Sequence, residues 1–216
     1  MTATLTSLRG RVAQALVDPG YAIWTADGLD EAIRLALRDY GEALPNLAET
    51  AISLPGAGRE IALDGLEGLQ EVVEVWWPFD TAAAETWPPN RVMGFQVWWD
   101  LGRPVLFLHA LEGGQPQAGD ELRLWYRRPH SLEGLDGASV TTVRLEHEGG
   151  IAGGAAGYAL LARAVDLVET AEVDLYQAGL LAALGRARQK EFQAWLGRLR
   201  GQAARSGETF AVWGEV

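Results

Sequence analysis

Apolar residues first recur along the chain at helical spacing. Over residues 3–17, Leu5, Leu8, Val12 and Leu16 form one stripe, with Arg9, Arg11 and Gln14 off it. That period predicts an amphipathic helix. Asp18-Pro19-Gly20 ends it, because proline cannot continue a helix and glycine accepts the turn. A second helix is predicted after Thr25 or Asp27, either of which can cap it, with Leu29, Ile33, Leu37 and Tyr40 on one face. Gly41 and Pro45 close that segment. A pair of short amphipathic helices needs further helices to cover its apolar faces.

From residue 47 the period becomes two. AISLPGAGREIAL reads as two short strands around Pro55-Gly56, and QEVVEVWWP, RVMGFQVWWD, RPVLFLHAL and DELRLWYRR continue the alternation. Each run is bounded by Gly, Pro, Asn or Asp, as short antiparallel strands are. A last strand is expected from Val140 to Leu145, and Asp80 to Asn90 reads as a loop. Helical spacing then returns through Ile151, Ala155, Tyr158, Leu161, Val165 and Val168. After a break expected around Glu169 to Glu172 it resumes through Leu175, Leu181, Leu184, Phe192, Trp195 and Leu199. The order implies an α+β fold. Residues 1–46 and 147–205 would form a helical bundle, residues 47–146 an inserted antiparallel β lobe (a small sandwich or barrel), and residues 206–216 a C-terminal extension.

Composition narrows the function. Hydrophobic residues make up 48% of 216, enough for a sizeable core. A net charge of −11 argues against general nucleic-acid binding, which needs clustered cations. The exception is a basic run, Arg186, Arg188, Lys190, Arg198, Arg200 and Arg205 against Glu191 alone, whose simplest reading is a solvated helix face. With no cysteine, disulfides and thiolate chemistry are excluded. The N-terminal MTATLTSLRGRV lacks the apolar core of a secretory signal, and the sequence shows no uninterrupted apolar run of membrane-spanning length. A protein made and used without secretion, with no membrane partner, is expected.

Motifs for catalysis do not stand out. His109, His130 and His147 are far apart in sequence, and Glu146-His147-Glu148 reads as an exposed acidic patch. No short metal-ligand spacing, nucleophile elbow or Walker sequence occurs. No catalytic residue, metal or cofactor is therefore assigned. In the Gly-rich stretch, Gly150, Gly153, Gly154 and Gly157 fall three and four apart, which favours a small-residue face for close helix packing over a phosphate loop.

Tryptophan carries the strongest signal. Trp76, Trp77, Trp87, Trp98, Trp99 and Trp125 all fall in the β lobe. Neighbouring residues on a strand point to opposite faces, so each Trp-Trp pair should place one indole inward and one outward. Trp77, Trp98 and Trp99 are thus candidate surface contacts. Outward indoles could stack on sugars or bases, or anchor a protein partner, which the acidic lobe favours. The alternating tail at Thr209–Trp213 could add a strand to a partner, lay Phe210, Val212 or Trp213 into a groove, or pack on its own chain. Arg198 and Arg200 join those three as candidate partner-binding residues.

Taken in order, LRGRVAQALVDP followed by IWTADGLDEAIRLALRDYGEALP resembles the N-terminal cassette of tailed-bacteriophage head-to-tail adaptor (connector, or neck) proteins. A strand at Leu122 to Tyr126 and a small-residue helix at Gly153 to Leu161 continue the resemblance. It implies a structural virion protein at the head–tail interface, made in the host cytoplasm. Such adaptors form a ring, commonly of twelve copies, between the portal protein and the next tail or nozzle protein, and extend the channel through which DNA passes without sequence-specific contact. The main alternative is a carbohydrate- or ligand-binding β lobe on a helical stalk.

Overall fold

The computed structural model describes residues 2–80, 90–110, 114–169 and 175–206. The fold is α+β, with helices at both ends of the chain and strands between them. The described residues divide into a helical unit, 2–45 with 130–206, and a β lobe, 46–129.

In the helical unit, α1 (Leu5–Ala15) starts at a capping box in which Thr4 and Ser7 bond each other's backbone amides. The turn after it is organised by Asp18, whose carboxylate accepts the amides of Ala22, Ile23 and Trp24 at 2.9, 2.8 and 3.0 Å. Those of Trp24 and Ile23 do most to hold its carboxyl below the usual range. Thr25 caps α2 (Ala26–Ala43) by accepting from the Gly28 amide. The predicted stripe Leu29, Ile33, Leu37 and Tyr40 is buried. A 3-10 turn (Leu145–His147) leads into α3 (Glu148–Glu169), and α4 spans Leu175–Ser206. Leu8, Val12, Ile33, Tyr40, Ile151, Ala155, Phe192 and Leu196 belong to one core.

Within Leu145–Glu169 an 18-residue window has a mean hydropathy of 1.4, long and apolar enough to cross a membrane, although the sequence reading found no such run. Half of that window is buried within the protein.

The β lobe is two three-stranded antiparallel sheets. One has the order β1 (Asn46–Ser53), β6 (Glu121–Arg128), β3 (Glu71–Phe79). The other has the order β2 (Glu60–Ala62), β5 (Arg103–Ala110), β4 (Gly94–Asp100). Ile61, Val75, Trp77, Leu106, Leu108, Leu122, Leu124 and Tyr126 meet in one core drawn from both sheets, so the lobe is a small sandwich.

The second boundary falls earlier than residue 146. Residues 130–146 lie with the helical unit, and Leu132, Leu135 and Val143 join its core. The strand expected from Val140 to Leu145 is absent. Gly134, Asp136 and Gly137 have positive φ, and the nearby backbone bonds close local turns, Gly134 to Ala138 and Leu135 to Leu132. The Thr142 amide is taken by the Ser131 carbonyl and a 3-10 turn begins at Leu145, so no ladder forms over Val140 to Leu145.

Candidate docking surfaces

The α3–α4 hairpin is packed tightly at one end. A Cβ on Gly150 would lie 2.5 Å from the Trp195 ring, and one on Gly154 would lie 2.7 Å from the Phe192 ring. One on Gly157 would lie 2.9 Å from Gln189, and one on Gly185 2.8 Å from Leu161. The two helices therefore approach to backbone-and-ring distance, as the small-residue reading expected. Gly153 is the exception, with nothing within 4 Å of its Cβ position. Gln189 ties the pair by donating to the Gly154 carbonyl at 3.0 Å.

Among the described residues, the other end of the hairpin leaves apolar side chains exposed. Val165, Val168, Leu175, Tyr176, Leu180 and Leu184 are each at least half exposed. Four of them, Val165, Val168, Leu175 and Leu184, belong to the apolar pattern read at helical spacing in the sequence. A groove of about 340 Å³ opens here, lined by Ile23, Trp24, Arg163, Leu167, Gln177, Leu180 and Leu181. Exposed aliphatic and aromatic side chains around a groove mark a surface suited to another macromolecule.

Arg198 and Arg200 are exposed on α4, between the buried positions Leu196, Leu199 and Ala203. Arg186, Lys190 and Arg205 are also exposed, so the basic run is an outward helix face. Phe210, Val212 and Trp213 lie outside the described residues, as does Trp87.

The tryptophans do not divide as strand alternation alone implies. Trp77 is a core residue, 6% exposed, and so is not a surface contact. It shares the inward face of β3 with Val75, and its Nε1 has no acceptor among the described residues. Its neighbour Trp76 points outward but is covered by the chain itself. The Arg123 guanidinium sits 5.3 Å from the Trp76 ring, 4.8 Å from Trp125 and 5.1 Å from Phe79, and it pairs with Glu49. Cation–π stacking uses these rings up.

In the second pair neither indole is in the core. Trp98 is half-buried, 5.7 Å from Phe107. Trp99 follows Phe95 and Val97 on one face of β4, but lies beyond the core beside the Leu101-Gly102 turn and is 58% exposed. It helps line a cleft of about 260 Å³ with Leu69, Gln70, Phe95 and Gln96.

In the helical unit, His130, His147 and Glu148 link distant parts of the chain. His147 and Glu148 are buried, not an exposed patch. Glu148 accepts from the Ser7 hydroxyl and pairs with Arg11 at 2.9 Å, while His147 Nδ1 lies 2.8 Å from the Tyr40 hydroxyl. His130 Nε2 lies 2.8 Å from the Leu44 carbonyl. A carbonyl only accepts, so Nε2 donates and Nδ1 of the neutral ring accepts from the Thr142 hydroxyl at 3.0 Å. Burial above all holds the His130 pKa below its ordinary value. The Tyr158 hydroxyl is pushed up to about 12 by burial and by its bond to Asp39. Nothing local in the sequence reveals these partners, which are 107 residues apart for Tyr40 and His147 and 141 for Ser7 and Glu148.

No group of metal-ligating side chains occurs among the described residues. The chain matches no model of a known protein family, and no curated protein sequence matches it.

Proposed function

We propose that this chain is a head-to-tail adaptor, a structural virion protein that forms a ring between the portal and the tail. The observation that carries the reading is the hairpin end. A well-packed helical unit with an uncovered apolar groove is organised for protein contact. The β lobe interrupts the helical unit in sequence, which suits a module that projects from the ring body. The net charge of −11 suits a channel through which DNA slides without sticking. The basic face of α4, with Arg198 and Arg200, and the apolar tail at Phe210, Val212 and Trp213 are the proposed portal contacts. The ring's other neighbour would be the next tail or nozzle component.

The test is binding to the portal encoded beside this chain, with the full chain compared with one ending at Arg205, read by native mass and negative-stain images. A ring added to one end of the portal is expected, and lost on truncation. No association of either form, at low or moderate salt, overturns the reading. The second reading, a glycan-binding lobe, rests on the Trp99 cleft, which an exposed indole lines together with the polar residues Gln70, Glu71 and Gln96. It would then be tested by saccharide titration of the full chain and its Trp99→Ala variant.

A further inference from the structure

We infer that the free chain pairs with a second copy of itself through the distal end of the α3–α4 hairpin, with α4 of one copy antiparallel to α4 of the other and Leu180 at the two-fold axis. Three observations carry this.

The first is spacing. Tyr176, Leu180 and Leu184 stand four apart on α4, and all are at least half exposed. They lie on one helix face. In an antiparallel pair centred on Leu180, residues equally far before and after it face each other, so Tyr176 of each copy meets Leu184 of the other. The stripe is its own complement, as an isologous contact requires.

The second is area. If the contact also covers Val165, Val168 and Leu175, the exposed portions of all six residues would supply at most on the order of 700 Å², against the ~800 Å² that each partner contributes to a standard-size interface.

The third is charge. Asp166 and Glu169 are exposed toward the end of α3, on the turn side of the hairpin, whereas Arg186 and Lys190 are exposed on α4 past Leu184. Reversing one hairpin against the other lays each acidic end along the partner's basic segment. A parallel arrangement would set like charges together. Opposite charges at the rim fix register and orientation.

A two-fold contact closes on itself and does not propagate, so the free dimer would hide the hairpin end and would have to part before that end is used in an adaptor ring. The dimer does not depend on the adaptor reading, and it is expected whether or not the portal binds.

The absence of cysteine permits a direct test. Leu180→Cys and Arg198→Cys would be made separately in the full chain and oxidised under mild conditions. A residue on the two-fold axis meets its own copy, so Leu180→Cys is expected to convert most of the chain to a disulfide dimer, at least tenfold more than Arg198→Cys. Sedimentation of the unmodified protein from about 1 to about 100 µM, the range expected of a modest standard-size interface, should show a dimer. Leu180→Glu or Tyr176→Lys should return it to monomer with an unchanged helical spectrum. A monomer throughout, a dimer that both substitutions leave intact, or cross-linking no greater at residue 180 than at residue 198 would each overturn the proposal.

Discussion

The two ends of the α3–α4 hairpin use their apolar side chains in opposite ways. At the base, Gly150, Gly154 and Gly157 on α3 receive Trp195, Phe192 and Gln189 from α4, and α1 and α2 cover the same helices in one core. At the distal end, Val165 and Val168 on α3 and Leu175, Tyr176, Leu180 and Leu184 on α4 remain at least half exposed. Helical periodicity is the same in both. What differs is the cover: the base side chains lie in one core with α1 and α2, and among the described residues the distal ones do not. A periodic apolar stripe therefore reports that a face wants burial, without saying which molecule buries it.

The largest effect should come from breaking the packed end. Phe192→Ala removes a ring that is 3% exposed and should cost about 3–5 kcal/mol. Gly154→Ala, which drives a methyl group toward that ring, should cost about 1–3 kcal/mol. Denaturant titration measures both. Because the two sites touch, the double substitution should cost less than the sum of the singles, and strict additivity would show that the ring does not fill the glycine's space.

A smaller effect concerns the histidine in contact with Tyr40 at that end, with ring centroids 4.6 Å apart. The folded-state pKa of His130 lies below its unfolded value of 6.5, so the unfolded chain takes up the proton first. The stability this group contributes is complete above that value and is lost as pH falls through it toward the folded pKa. Thermal melts between about pH 7.5 and pH 5 should show the difference between the native chain and His130→Gln shrinking on acidification. A constant difference would mean that the ring is not held neutral.

The smallest effect belongs to the uncovered end. Leu184→Ser, measured at concentrations too low for self-association, should change stability by no more than about 0.5 kcal/mol. A loss near that of Phe192→Ala would mean that the distal face is part of the core, and the contrast between the two ends would disappear.

Much of the architecture was legible in the residues. The helix pair with its cap at Thr25 or Asp27, the six strand segments, and the return to helix all follow from periods of 3.6 and 2 punctuated by proline and glycine. Capping and alternation are local, so a linear reading captures them. Tertiary structure alone decided which periodic faces found partners. Trp76 and Trp125 point outward by alternation yet are closed over by Arg123, a residue that the sequence presents only as another charge. His147 and Glu148 look like surface acid and base, and are buried because Tyr40, Ser7 and Arg11 arrive from more than a hundred residues away. Residues 130–146 look partly extended, and join the helical core through turns at positive φ. Burial depends on what lies across from a residue, and that neighbour is chosen by the path of the whole chain.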